Sequence, residues 1–157
     1  MAVDATARLY DVDENSVQFK RFSQKESYDQ GAVTFRARKG ALIDLDKLHE
    51  SIWATRLSGG TRSGLLSLQV TAIGRVVTTS GKTVLQVANS NAEFVLQKHS
   101  DEKLAGAFGK LAAFESESKT IRVTGQIVNY VGRWPSVLKQ QPTNPRQMVV
   151  TDVQIEE

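Results

Sequence analysis

The 157-residue chain contains no cysteine. Disulfides, zinc–thiolate sites, iron–sulfur clusters and cysteine nucleophiles are therefore excluded. The compartment stays open, because a cysteine-free chain suits cytosol and periplasm alike. Histidine is nearly as scarce: His49 and His99 stand alone, without ligand spacing. Folding alone would have to bring them together, and surface or capping roles are the ordinary ones. No run approaches the roughly 18 consecutive apolar residues that a membrane span needs. Met1–Arg8 has neither the basic start nor the apolar core of a signal peptide, so a soluble protein is expected. No Ser-His-Asp order, nucleophile elbow or paired-acid pattern stands out, so neither an enzyme nor a cofactor is expected.

The chain is 40% hydrophobic and 24% charged, which suits one packed domain or two small modules. The net charge is +3 and the pI near 9.3, a balance that invites a nucleic-acid reading. Halving the chain weakens that reading. Residues 1–63 carry ten Lys/Arg against nine Asp/Glu, and residues 64–157 ten against eight. A phosphate-binding surface needs clustered cations, since each neutralised phosphate contributes its own counterion release.

Residues 1–30 read as a weakly ordered segment. Within it Val17–Phe22 has the look of a short strand, and Ser23–Gln30 of a loop. Gly31–Arg38 alternates, with Val33, Phe35 and Ala37 on one face and Thr34, Arg36 and Arg38 on the other, the pattern of a strand with one wet face. Asp44 is placed to cap a helix. Leu45, Leu48 and Ile52, with Trp53 adjoining, form an apolar stripe expected to face a sheet. Ser58–Gly60 stops this helix, making 31–63 a strand–helix element. With the strand over Leu65–Val77 it predicts a βαβ unit.

From residue 64 onward the pattern is meandering β. Thr78–Lys82 and Asn89–Asn91 carry turn chemistry. They separate strands at 65–77, 83–88 and 92–97. Ser100 or Asp101 can cap a helix running to about Phe114, whose Gly106 and Gly109 would let it sit close to the sheet. Strands follow at Ile121–Tyr130 and Met148–Ile155. All three prolines fall between Trp134 and Pro145. They mark an exposed connection longer than a usual hairpin loop.

Two ten-residue stretches, Leu68–Val77 and Ile121–Tyr130, alternate apolar and polar residues around one mid-strand glycine, Gly74 or Gly125. With the order strand, strand, strand, helix, strand, strand, residues 64–157 resemble an OB-fold. This is a five-stranded Greek-key barrel with a helix between strands three and four. The glycines suit the bends or bulges that such a barrel needs. The fold class expected is α+β: a βαβ segment followed by an OB-like barrel. Residues 31–77 also resemble the opening βαβ of heavy-metal-associated, ferredoxin-like domains. The loop that binds metal in those domains is here Arg38–Ile43, without a thiol, so no metal ligand is assigned.

The OB resemblance implies a binding or assembly module for a protein or extended polymer, with single-stranded nucleic acid as the alternative. A metal-associated accessory role is the weaker alternative, implied only by the βαβ resemblance. Tyr130, Arg133 and Trp134 combine aromatic and basic groups at the mouth of the final connection, which in OB-folds contacts ligand. Their rings can stack on bases, or Trp134 can close the barrel end as core. Arg36 and Arg38, beside Lys39, make the densest basic patch. Asp44, Asp46 and Glu50 read as helix-start acids. Asp11, Asp13 and Glu14 alternate like a calcium loop, but no glycine or downstream glutamate completes one. Gly59–Gly64 is glycine-rich but precedes a strand, whereas phosphate loops precede a helix.

Overall fold

The computed structural model describes residues 2–25, 28–55, 67–128 and 145–156. Two compact units divide the chain, Met1–Gly64 and Leu65–Glu157. The architecture is α+β, with no helix among the described residues long and apolar enough to cross a membrane.

The first unit holds helix α1 (Ala2–Ala7), a 3-10 turn (Glu14–Ser16), strands β1 (Gln18–Lys25) and β2 (Tyr28–Thr34), and helix α2 (Leu45–Ala54). The Asp44 carboxylate accepts from the Asp46 and Lys47 N–H groups, at 3.0 and 3.1 Å, and so starts α2 as expected. Leu48 and Ile52, one helical turn apart, are buried. Their stripe does not mainly meet a sheet. The chief partner of α2 is α1, where Ala5 is buried and its carbonyl accepts from the Ser51 hydroxyl at 2.8 Å. At six residues, fewer than two turns, and half of them alanine, α1 is too short for an aliphatic stripe to announce it.

Strands β1 and β2 correct two expectations. Ser23–Gln30 is not a loop throughout, because β1 runs to Lys25 and β2 begins at Tyr28, with those two residues paired. A register shift between Arg21 and Ser23 and the polar composition hide the alternation. The second correction concerns the βαβ unit. A βαβ unit needs parallel strands in one sheet, but β2 pairs antiparallel with β1 in a sheet of two strands, separate from the strand that follows α2. Pairing across a two-residue connection closes a far smaller loop than pairing across a helix, so the local partner is the easier one to reach.

The second unit is a mixed sheet of five strands: β3 (Gln69–Thr79), β4 (Lys82–Val87), β5 (Glu93–Gln97), β6 (Ile121–Ile127) and β7 (Arg146–Ile155). Every strand has two hydrogen-bonded neighbours. The order β3-β4-β5-β7-β6 returns to β3, through four antiparallel pairs and the parallel pair β5–β7. Period-two patterning puts Val76, Leu85, Val87, Phe94, Leu96, Ile121, Val123, Met148, Val150 and Val153 inside. Ser80 and Gly81, both at positive φ (52° and 74°), make the tight β3–β4 turn.

Gly74 and Gly125 serve different purposes. Gly125 adjoins the register shift between β6 and β7, the bulge its position suggests. Gly74 lies in regular pairing opposite Val87, where a β-carbon would overlap the Gln86 carbonyl oxygen and lie 2.8 Å from its carbon. The segment between β5 and β6 forms two helices, α3 (Glu102–Gly109) and α4 (Leu111–Ser116), broken at Lys110. Asp101, one of the two candidate caps, starts α3 by accepting from Lys103 N–H at 2.9 Å. α3 packs on β7 and α4 on β3. Gly106 and Gly109 do not bring α3 close to the sheet, for a β-carbon at either would meet nothing within 4 Å.

Candidate functional site

On the closed sheet, register sorts the outward side chains into rows. Arg75 of β3 stands beside Gln86 of β4 and Glu93 of β5, and the Gln86 amide donates to the Glu93 carboxylate at 3.3 Å. The next row is Val77, Val84 and Val95, where Val84 is buried between its two cross-strand neighbours. Beyond it the Gln97 amide donates to the Gln147 side-chain oxygen at 2.8 Å, linking the parallel pair. This face sets a mixed-charge polar row beside a row of valines on continuous ladders, so its side chains are held at fixed spacing.

At one end of the sheet the connection from β6 to β7 begins and ends on pinned backbone. Ile127 N–H donates to the Leu68 carbonyl at 2.9 Å, and Val128 N–H to the Gln147 carbonyl at 3.0 Å. Tyr130, Arg133 and Trp134 fall in that connection and lie outside the described residues. At the other end, β3 extends past the last β3–β6 pair, Gly74–Ile121. The Thr78 N–H there donates to Glu115 of α4 at 2.6 Å, and its hydroxyl donates to the other carboxylate oxygen at 2.9 Å. Glu115 thus blunts an open strand edge. The 37-residue separation leaves no local sequence signal for it.

Arg36 and Arg38 belong to the first unit, on either side of a β-bridge between Val12 and Ala37. Their backbones are pinned: Arg36 N–H donates to the Ser16 hydroxyl at 2.8 Å, and Arg38 N–H to the Asp11 carbonyl at 2.8 Å. The Arg36 side chain is 81% exposed, with only a 4.0 Å approach to Asp13. Arg38 is engaged, donating to the Val12 carbonyl at 3.4 Å and lying 5.4 Å from the centre of the Tyr10 ring. Tyr10 is 86% exposed, and no periodicity in the sequence singles it out.

The acids beside this bridge also hold backbone. Asp13 accepts from Asn15 N–H at 3.1 Å, and Asp11 accepts from Asp44 N–H. His99 Nδ1 accepts from Asp101 N–H at 2.9 Å, a capping role. Among the described residues no three His, Asp or Glu side chains are grouped to hold a metal ion.

Compared with protein-family models, curated proteins and solved structures, the chain matches none.

Proposed function

We propose that residues 65–157 form a non-catalytic binding or assembly module of OB-like barrel architecture, whose ligand is a protein or an extended polymer lying across β4 and β5. The observation that carries it is the closed strand order β3-β4-β5-β7-β6 with helices inserted between β5 and β6. In OB-folds the face of strands two and three, together with the loops after strands one and four, takes the ligand. Here those are β4 and β5, the Ser80–Gly81 turn, and the β6–β7 connection that holds Tyr130, Arg133 and Trp134. The outward row Arg75, Gln86 and Glu93 has one base, one acid and no aromatic ring. A polyanion read by stacking calls for cations and rings together, so a mixed polar partner fits this face better.

Amide chemical-shift mapping of the labelled chain tests the proposal. Titration is with short mixed-charge peptides, neutral oligosaccharides and oligonucleotides. A peptide or oligosaccharide that shifts the amides of Lys82–Gln97 and those flanking the β6–β7 connection is the expected outcome. Ligand shifts confined to α3 and α4, or to the β3–β6 face, would refute it.

A further inference from the structure

The basic excess of this chain is concentrated on one ribbon. Residues 18–39 hold six Lys or Arg against two Asp or Glu, whereas the other 135 residues hold fourteen against fifteen. Division at residue 63 conceals this, because the acids at 4–14 and 44–50 offset the ribbon within its own half. In the structure the segment is the β1–β2 hairpin and the bridge that extends it to Arg38.

The same ribbon, with the segment bridged to it at Val12, exposes aromatic rings. Tyr10, Phe19 and Phe22 are 86%, 47% and 65% exposed, and they are the exposed large aromatics among the described residues. Phe19 and Phe22 flank Lys20 and Arg21, and Tyr10 carries Arg38 over one face of its ring. A two-stranded hairpin is marginal in water by itself. The Phe19 ring lies partly over Gly31 of β2, whereas Tyr10 and Phe22 leave most of their surface in solvent, where it costs stability, so a ligand that covers the open faces accounts for their presence. The nearby acids Asp11 and Asp13 accept from backbone N–H groups, and the second Asp13 oxygen approaches Arg36 only to 4.0 Å.

We infer that the β1–β2 ribbon of the first unit is a binding surface for single-stranded nucleic acid. Lys20, Arg36 and Arg38 lie along the phosphates, and Tyr10, Phe19 and Phe22 take bases on their open faces. Charge complementarity selects a polyanion. Exposed rings beside the cations select one with unstacked planar bases over a duplex or a simple acidic polymer. The inference deepens the nucleic-acid alternative for Arg36 and Arg38 and moves its centre to residues that periodicity did not single out. It uses the first unit alone and stands or falls independently of the ligand assigned to the second.

Fluorescence anisotropy of the full chain with labelled oligo-dT and oligo-U, at several salt concentrations, tests it. Each phosphate contacted by a cation contributes about −0.7 to the slope of log K against log salt for single strands. The double variant Lys20→Gln/Arg36→Gln is therefore expected to bind more weakly and to flatten the slope by about 1.4. Phe22→Ala is expected to weaken binding roughly 5- to 150-fold with the slope unchanged, a split that a general loss of folding would not give. Arg75→Gln and Gln86→Ala, on the second unit, should leave oligonucleotide affinity as it was. Several results would overturn the inference. They are no binding at low salt, equal affinity for duplex, undiminished competition by polyglutamate, and loss confined to the second-unit variants. Acidic peptides bound more tightly than oligonucleotides would also overturn it, and would make the ribbon a protein-docking strand.

Discussion

Replacing Gly74 by alanine drives a β-carbon into the backbone of the neighbouring strand. The added β-carbon would overlap the Gln86 carbonyl oxygen, with the Gln86 carbonyl carbon at 2.8 Å and Val87 Cα at 3.1 Å. All three neighbours are main chain, so no rotamer change relieves the clash. β3 and β4 would have to part near the Gly74–Val87 pair, inside the closed sheet. Overpacking of a core costs about 1–3 kcal/mol. Loosening one or two ladder bonds adds about 1 kcal/mol each. Alanine's lower backbone entropy in the unfolded chain returns about 0.5–1 kcal/mol. The net loss expected is about 3 kcal/mol, a large share of the roughly 5–15 kcal/mol that holds a domain folded. Urea unfolding followed by far-ultraviolet circular dichroism measures it. With a slope of about 1 kcal/mol per molar, the midpoint of the second unit's transition should fall by about 3 M. Gly106→Ala is the control of opposite sign, since a β-carbon there meets nothing within 4 Å. In a helix interior it should gain about 0.5–1 kcal/mol. A Gly74→Ala midpoint within about 0.5 M of the parent would refute the close-approach explanation.

Other substitutions probe the remaining joints. Asp44→Ala removes the α2 cap and should cost about 1 kcal/mol, read as a lower unfolding midpoint of the first unit, whereas Asp44→Ser should restore most of it. Glu115→Ala frees the Thr78 N–H. Because the pair is solvent-exposed the loss should be only about 1 kcal/mol, but hydrogen exchange at the Thr78 amide should quicken. Leu85→Ala empties a fully buried position and should cost about 3–5 kcal/mol, seen as a lower midpoint of the second unit under the same urea assay.

Five strands of the second unit are legible because their inner and outer residues differ in polarity and their turns carry distinctive chemistry. Leu85 and Val87 alternate with Gln86, and Ser80–Gly81 and Asn89 take the positive φ angles that their turns require. Asp44 and Asp101 are legible as caps because the signal is local, a carboxylate just ahead of an apolar stripe. What escapes is non-local or unpatterned. Alternation is readable over Val17–Phe22 and from Gly31 onward, but the polar stretch between them and the register shift between Arg21 and Ser23 leave no continuous period to mark the two as one hairpin. The break at Lys110 and the open surroundings of Gly106 depend on where β3 and β7 lie, which the helix's own residues do not encode. Of the candidate site, Arg36 and Arg38 are readable as an alternating basic pair. That one stands free to 81% while the other lies over Tyr10 is a property of the fold.

The parallel pairing of β5 with β7 sets the order in which the second unit can mature. Until β7 is synthesised, β5 and β6 each lack one neighbour, and α3 lacks the strand it packs on. A ribosome-bound chain that ends within the β6–β7 connection therefore presents two open strand edges at once, a template for mispairing. Closure comes in one late event that spends a long loop for two ladders together. Nascent chains arrested before Arg146 should be sensitive to protease and chaperone-bound, and those extended beyond Ile155 should not.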